Sequence, residues 1–426
     1  MLTENAHGQQ PQLPIADYTR LAEKLFPMSA AIATTLRRVA VTAAGVVSPL
    51  GHGIAETARS LRAGRDGVTP MARERFDVSL CRAKTAGQVM PAPRPGAERL
   101  HAASLMMIEA MSEVMRGDAS FRPELMIIGT TSGGMSFGEQ FFRAQISRQR
   151  PRDRAAWLAN YMPQKALLDA QSSAGFSCPS QIIANACASG SNAIGHAFQL
   201  VRAGHHEAVL CGGYDVISEL VFVGFDSLQA ATAEKIRPFD RHRSGLVLGE
   251  GAAMLALEDF ESARRRGAPI LAELTGYGIS TDNHHLTQPH PSGIGPRHAM
   301  ERALHDARRR AEDVDYINAH GTATTFNDAT EGAAIAQLFG DRVPVSSTKS
   351  MMGHALGAAG AIEAVFSIIA LQEQFLPPNL HYAEPDPAWS IDIVANEARE
   401  ARVNCVVSNS FGFGGTNASL VLERAA

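Results

Sequence analysis

The sequence lacks the features that tie a chain to a membrane, a disulfide framework or a nucleic acid. Its 426 residues include only five cysteines, Cys81, Cys178, Cys187, Cys211 and Cys405. The number is odd and no CxxC pair occurs, which argues against both a disulfide framework and a structural zinc site and favours a reducing, cytoplasmic setting. No run approaches the roughly 18 to 20 uninterrupted apolar residues that span a bilayer. The N-terminus lacks the basic-then-apolar order of a secretory signal, so a soluble intracellular protein with no membrane contact is expected. The formal net charge is only −4 and the basic residues are dispersed, which gives no reason to expect nucleic acid. One basic cluster stands apart, Arg148, Arg150, Arg152 and Arg154. It reads as a solvated loop or as a surface for an acidic protein partner.

What the chain does have is an alternation of short apolar runs with longer helical patterns. The length suits two or three domains, or one large duplicated α/β unit. Residues 1–37 are polar at first and then weakly helical, and are read as an N-terminal extension. Strands are expected at residues 39–44, 125–128, 208–210 (closed by Gly212-Gly213) and 252–257, with helices between them. This order implies a largely parallel sheet covered by helices. A charged run at 258–267 sets a half-boundary, giving halves of 38–258 and 259–426. The second half repeats the order, with strands near 271–279, 314–319, 343–346 and 405–408 and helices near 296–310, 329–339 and 357–372, which hints at internal duplication.

Four motifs carry candidate chemistry. Cys187, in Asn185-Ala186-Cys187-Ala188-Ser189-Gly190-Ser191, follows Ile182 and Ile183 and precedes a helical repeat of Ala193, Ile194, Ala197, Phe198 and Val201. A thiol on such a strand-to-helix turn faces the positive end of the helix dipole, which would lower its pKa. The alternative is a small buried hydrophobe. His320 ends an apolar strand and opens His320-Gly321-Thr322-Ala323-Thr324, the kind of strand end that carries catalytic groups in open α/β sheets. A hydrogen-bonded core histidine is the competing reading. His354 follows Lys349 by five residues and precedes an Ala/Gly-rich helix, which favours a buried lysine with a partner. Glu331 and Glu363 are candidate partners that would orient an imidazole, unless they face solvent. The loop Asn409-Ser410-Phe411-Gly412-Phe413-Gly414-Gly415-Thr416-Asn417 matches neither dinucleotide nor phosphate-loop patterns. Its glycines, Gly414 among them, let backbone N–H groups approach a ligand oxygen beside an apolar wall of Phe411 and Phe413.

Taken together and in this order, these motifs, with the segment at 237–258, resemble the β-ketoacyl-acyl carrier protein synthases of the elongating Cys-His-His class. The likeness runs from about residue 38 to 422. It implies an α/β thiolase-like fold, two duplicated βαβαβαββ halves forming an αβαβα layered sandwich. It implies an acyltransferase in which Cys187 takes an acyl group from a carrier protein's phosphopantetheine in ping-pong fashion. His320 and His354 would then support decarboxylation of malonyl-carrier protein and stabilise the enolate, and the Cys187 and Phe413 N–H groups would hold the oxyanion. Lys349, Glu331 and Glu363 would support the histidines, Thr322 and Thr324 would bind pantetheine, and Phe413 would act as a gate. No separate cofactor and no metal are implied. The implied partners are acyl carrier protein and a second subunit, identical or a chain-length factor.

Three departures qualify the likeness. Thr325-Phe326-Asn327 stands where the family usually has a Pro, which reshapes the tunnel mouth. Lys235 and Arg237 only loosely replace a basic residue that meets the carrier. Ser132 falls where relatives place a larger apolar residue in the acyl pocket, which suggests an unusual acyl group. A degradative thiolase would need a second cysteine in the C-terminal loop, an initiating synthase would have Asn for His354, and a noncatalytic chain-length factor would lack Cys187.

Overall fold

The computed structural model describes residues 36–90, 100–147, 158 and 160–425. The expected extension at 1–37, apart from its last two residues, and the cluster Arg148, Arg150, Arg152 and Arg154 lie outside the described residues. Two runs of five strands form the main sheet. The first comprises β1 (Val39–Ser48), β2 (Leu125–Gly129), β3 (Ser180–Ile183), β4 (Ala208–Asp215) and β5 (Gly251–Asp259). The second comprises β6 (Ala272–Thr281), β7 (Tyr316–Asn318), β8 (Pro344–Ser346), β9 (Cys405–Gly412) and β10 (Thr416–Glu423).

In space the first run is ordered β3-β2-β4-β5-β1 and the second β8-β7-β9-β10-β6. In each run the first three strands are parallel and the last two antiparallel. The duplicated topology expected from element order is therefore present strand for strand. A three-residue antiparallel pairing, Val39 opposite Leu274 to Val41 opposite Ala272, joins the runs through β1 and β6. Two-residue strands, Gly51–His52 on β1 and Asp392–Ile393 on β8, complete twelve strands.

The strands β4 and β5 are buried at every position, so they read as continuous apolar runs rather than alternating ones. The sequence-based end of β4 at Gly212-Gly213 is too early, because the strand continues to Asp215. Gly212 is needed for close approach, not for a turn: a Cβ there would sit 2.0 Å from the Ala253 carbonyl oxygen on β5.

Six helices cover these strands or frame the site: α1 (Ala102–Gly117), α2 (Ser189–Arg202), α3 (Glu219–Ser227), α4 (Ile294–Ala307), α5 (Thr325–Phe339) and α6 (Ala359–Glu373). On one outer face α1 covers β1 and β5, and on the other α4 covers β6 and β10. Between the runs, α2 and α6 pack on each other and touch strands of both. This gives the expected αβαβα layering, and the largest apolar cluster fills the middle, from Val39 and Phe198 through Leu255 and Phe366 to Leu420. The segment Leu356–Glu373 is long and apolar enough to cross a membrane by length and composition, but 89% of it is buried. Its apolarity is that of a helix with protein on all sides.

Candidate active site

The short strand β3 ends in a strained turn that lifts Cys187 ahead of α2. Ala186 has φ +55°, a left-handed conformation costing a non-glycine residue roughly 1–2 kcal/mol. The turn is tied down locally: the Ala186 carbonyl accepts from the Ser189 hydroxyl at 2.6 Å and the Thr131 hydroxyl at 3.1 Å, and the Asn185 N–H donates to Ser189 Oγ at 2.9 Å. From the other half of the molecule, Gly412 passes so close that a Cβ would lie 3.2 Å from the Cys187 nitrogen. That approach brings the Phe413 backbone N–H, and Cys187's own, to the sulfur.

The thiol is buried, and this corrects one expectation. Burial pushes Cys187 up to about 11, while the Lys349 charge and the Phe413 N–H pull it back down. Cys187 precedes the helix cap Ala188, and loss of water around the sulfur outweighs what favours the thiolate.

His320 follows β7 and His354 follows β8, and both are buried. Their rings meet edge to face with centroids 5.2 Å apart, and Phe411 lies 5.9 Å from His320. The Cys187 sulfur and one ring nitrogen from each histidine all lie within 4.8 Å of one another. Burial, then the nearby Lys349 charge, holds both imidazoles well below the usual histidine range, so they are neutral. His320 Nδ1 and both ring nitrogens of His354 are buried with no hydrogen-bond partner among the described residues. Buried polar groups are ordinarily hydrogen-bonded, so these nitrogens call for a partner that the chain does not itself supply among the described residues.

Each histidine is positioned through its backbone. The Glu331 carboxylate accepts from the His320 and Gly321 N–H groups, both at 2.8 Å, and from the Asn409 side chain at 3.2 Å. Glu331 thus fixes the loop rather than the imidazole ring expected as its partner, and burial raises it to about 7. His354 is clamped by the segment 247–249: its N–H donates to Val247 at 2.7 Å and its carbonyl accepts from Gly249 at 2.9 Å. Beneath them, Lys349 Nζ lies 2.5 Å from Glu363 Oε1, with both side chains fully buried. Burial pushes Glu363 up to about 7 against the pull of that ammonium.

One further carboxylate was not singled out from the sequence. Asp215, fully buried at the end of β4, accepts from Thr130 Oγ1 (2.9 Å), Thr131 N (2.9 Å), Ser132 N (2.8 Å), Ser132 Oγ (2.6 Å) and Gly357 N (2.7 Å). Burial raises it, and these donors oppose that rise. Ser132 donates its hydroxyl to Asp215 and is not among the residues that line the cavity reaching Cys187.

A cavity of about 190 Å³ reaches the cluster from the surface. Cys187, His320 and His354 lie in its wall, with Thr322, Thr324, Phe411 and Phe413 along it. The two threonine hydroxyls are paired at 2.9 Å, and Phe413 stacks on Phe225 of α3 with centroids 5.6 Å apart. Gly414 also lines the cavity, but its N–H donates to the Leu286 carbonyl at 2.7 Å and is not free for a ligand. Thr325, Phe326 and Asn327 also line the cavity.

Comparison with known proteins gives a consistent picture. Residues 36–263 match the family model of the β-ketoacyl synthase N-terminal domain, and 271–383 that of its C-terminal domain. The chain is 37% identical over 410 residues to a 3-oxoacyl-[acyl-carrier-protein] synthase 2 of Coxiella burnetii, covering 91% of this chain and 99% of that one. It is 36% identical to the protein of the same name from Synechocystis, covering 91% and 98%. Among solved structures it is similar to the ishigamide ketosynthase/chain length factor, with TM-score 0.86, 33% identity and coverage of 92% and 100%. A β-ketoacyl synthase from Burkholderia phymatum gives 0.82 at 34% identity, with the same coverage.

Proposed function

The chain belongs to the β-ketoacyl synthase family, and from that premise we propose that it is a 3-oxoacyl-acyl carrier protein synthase working through Cys187, His320 and His354. The observation that carries the reading is the convergence of one thiol and two neutral imidazoles within 4.8 Å at the inner wall of a cavity. In the first half-reaction the Cys187 sulfur attacks the thioester carbonyl of an acyl-carrier protein. The acyl–sulfur bond to the phosphopantetheine breaks, and the thiol proton ends on the departing phosphopantetheine sulfur. The Cys187 and Phe413 N–H groups, already facing the sulfur, are suited to the oxyanion.

In the second half-reaction malonyl-carrier protein enters the same cavity and loses CO₂. The single N–H of each neutral imidazole, on His320 and on His354, supplies a hydrogen bond to the thioester oxygen of the resulting enolate. The enolate carbon attacks the acyl-Cys187 carbonyl and expels the thiolate, which recovers a proton. No separate cofactor takes part, since the substrates arrive on the carrier. Thr322 and Thr324 line the path that the pantetheine arm would take.

A second subunit is part of this reading. The ishigamide structure and a ketosynthase from Xenorhabdus doucetiae (TM-score 0.78, 27% identity) are both paired with a chain length factor. Since this chain carries Cys187, it would be the active member of such a pair if the pair is not two identical copies. Five free thiols support a cytoplasmic location.

The test is intact-mass analysis. Protein incubated with acyl-carrier protein gains one acyl mass on Cys187 and releases a β-ketoacyl product when malonyl-carrier protein is added. Absence of any adduct with any carrier, alone or with co-purified subunits, would overturn the reading.

A further inference from the structure

We propose that Cys187, His320 and His354 also form a binding site for a thiophilic divalent cation, Zn²⁺ being the fitting one, and that occupancy switches the enzyme off. The three ligand atoms lie within 4.8 Å of one another, and three of the four ring nitrogens are buried without a partner among the described residues. One sulfur and two imidazole nitrogens form a set that zinc accepts, and its filled d shell imposes no competing geometry. Zinc–sulfur and zinc–nitrogen bonds of about 2.3 and 2.0–2.1 Å set tetrahedral ligand edges of about 3.3–3.6 Å, so the atoms must draw together by about an ångström. Side-chain rotation of Cys187 and tilting of the two rings supply that movement. The fourth position faces the cavity, where water or a substrate oxygen completes the shell. The Lys349 ammonium, whose charge acts on all three ligand residues, is offset by Glu363 at 2.5 Å and does not leave the site with unbalanced positive charge.

Binding breaks the Cys187 S–H bond and forms a zinc–sulfur bond, the proton passing to solvent, while the two imidazoles donate lone pairs without change of charge. No electron is transferred. The nucleophile and both hydrogen-bond donors are then occupied at once, so inhibition is competitive with acyl-carrier protein and reversed by a chelator. The inhibitory consequence rests on the proposed condensing activity; the binding does not.

The experiment uses the full-length protein and metal ions alone. Titration with Zn²⁺ should give one equivalent per chain. Co²⁺ in its place should give the sulfur-to-metal charge-transfer band and intense visible bands of a tetrahedral site. Zn²⁺ should also slow iodoacetamide alkylation of Cys187, read by peptide mass spectrometry, by about tenfold or more, because the bound thiolate no longer attacks. Cys187→Ser, His320→Ala and His354→Ala, each checked for native circular dichroism, should lose the cobalt spectrum, and Cys81→Ala and Cys178→Ala should keep it. Loss of the cobalt spectrum in Cys81→Ala or Cys178→Ala, with retention in folded Cys187→Ser, would overturn the proposal. So would absence of zinc protection of Cys187 in a protein that condenses substrates. Zinc binding in a protein that forms no acyl adduct would leave this site standing and remove the function proposed above.

Discussion

The two halves of the molecule share one topology but differ in what they carry at equivalent strand ends. In chain order, after the third strand of each run (β3 and β8), the first half presents Cys187 and the second presents His354. After the second strand, the first half has Thr130, Thr131 and Ser132 gathered on Asp215, and the second has His320 with its loop held by Glu331. The fourth strand in chain order ends on Asp215 in one half and leads into the Phe413 loop in the other. The first half thus supplies a nucleophile and a rigid frame, the second the donors and an ion pair. Neither half is complete by itself. Segment 247–249 of the first clamps His354, and the Phe413 N–H of the second faces Cys187.

The sharpest way to test this division is through two of its buried carboxylates, Glu363 and Asp215. Glu363 is balanced by a cation and Asp215 only by neutral donors. Glu363→Gln leaves the Lys349 ammonium buried and uncompensated, which should cost about 3–5 kcal/mol of stability. Denaturant unfolding measures it, and the double variant Lys349→Met, Glu363→Leu should recover much of the loss. A drop under about 1 kcal/mol would mean that water reaches the pair.

The next effect concerns chemistry rather than stability. His320→Ala or His354→Ala should lower condensation about 10²–10³-fold, the range for losing a preorganised donor to a developing oxyanion. Acyl loading of Cys187 should persist, because the first half-reaction draws on the strained turn and two backbone N–H groups. Single-turnover mass spectrometry separates the two steps. Equal loss of both would break the assignment of one half-reaction to each set of groups.

Asp215→Asn comes third. The amide cannot accept from five donors as the carboxylate does, and about 1–3 kcal/mol should be lost. Thermal unfolding, set against that of Glu363→Gln, measures it. The residue also illustrates what the sequence hides. Cys187, His320, His354 and the Phe413 loop were legible because each sits where an apolar run meets small or glycine residues, a local signal. The duplicated order of elements was legible for the same reason. Asp215 ends a fully buried strand after Cys211-Gly212-Gly213-Tyr214, and its five partners come from residues 130–132 and 357. No local pattern announces contacts that distant. Ser132 shows the complementary limit, since its position in the chain says nothing of a carboxylate waiting 2.6 Å from its hydroxyl. A polar residue closing an otherwise apolar strand was the one available hint.

The smallest effect bears on the nucleophile itself, where the local pattern and the fold disagree. A thiol at the start of a helix suggests a lowered pKa, yet burial pushes Cys187 up to about 11. The two readings differ in slope. Well below its pKa a thiol gains about tenfold in thiolate per pH unit, so iodoacetamide alkylation of Cys187 should climb steadily from pH 7 to pH 9 without a plateau. A thiol lowered below neutrality would already be ionised, and its rate would be flat over the same range. Since the Lys349 charge pulls the thiol down, Lys349→Met should raise its pKa further and slow alkylation at every pH in that window. A flat profile in the native protein would return activation of Cys187 to its own half. A rising profile that Lys349→Met depresses would mean that the second half sets the charge on the first half's nucleophile.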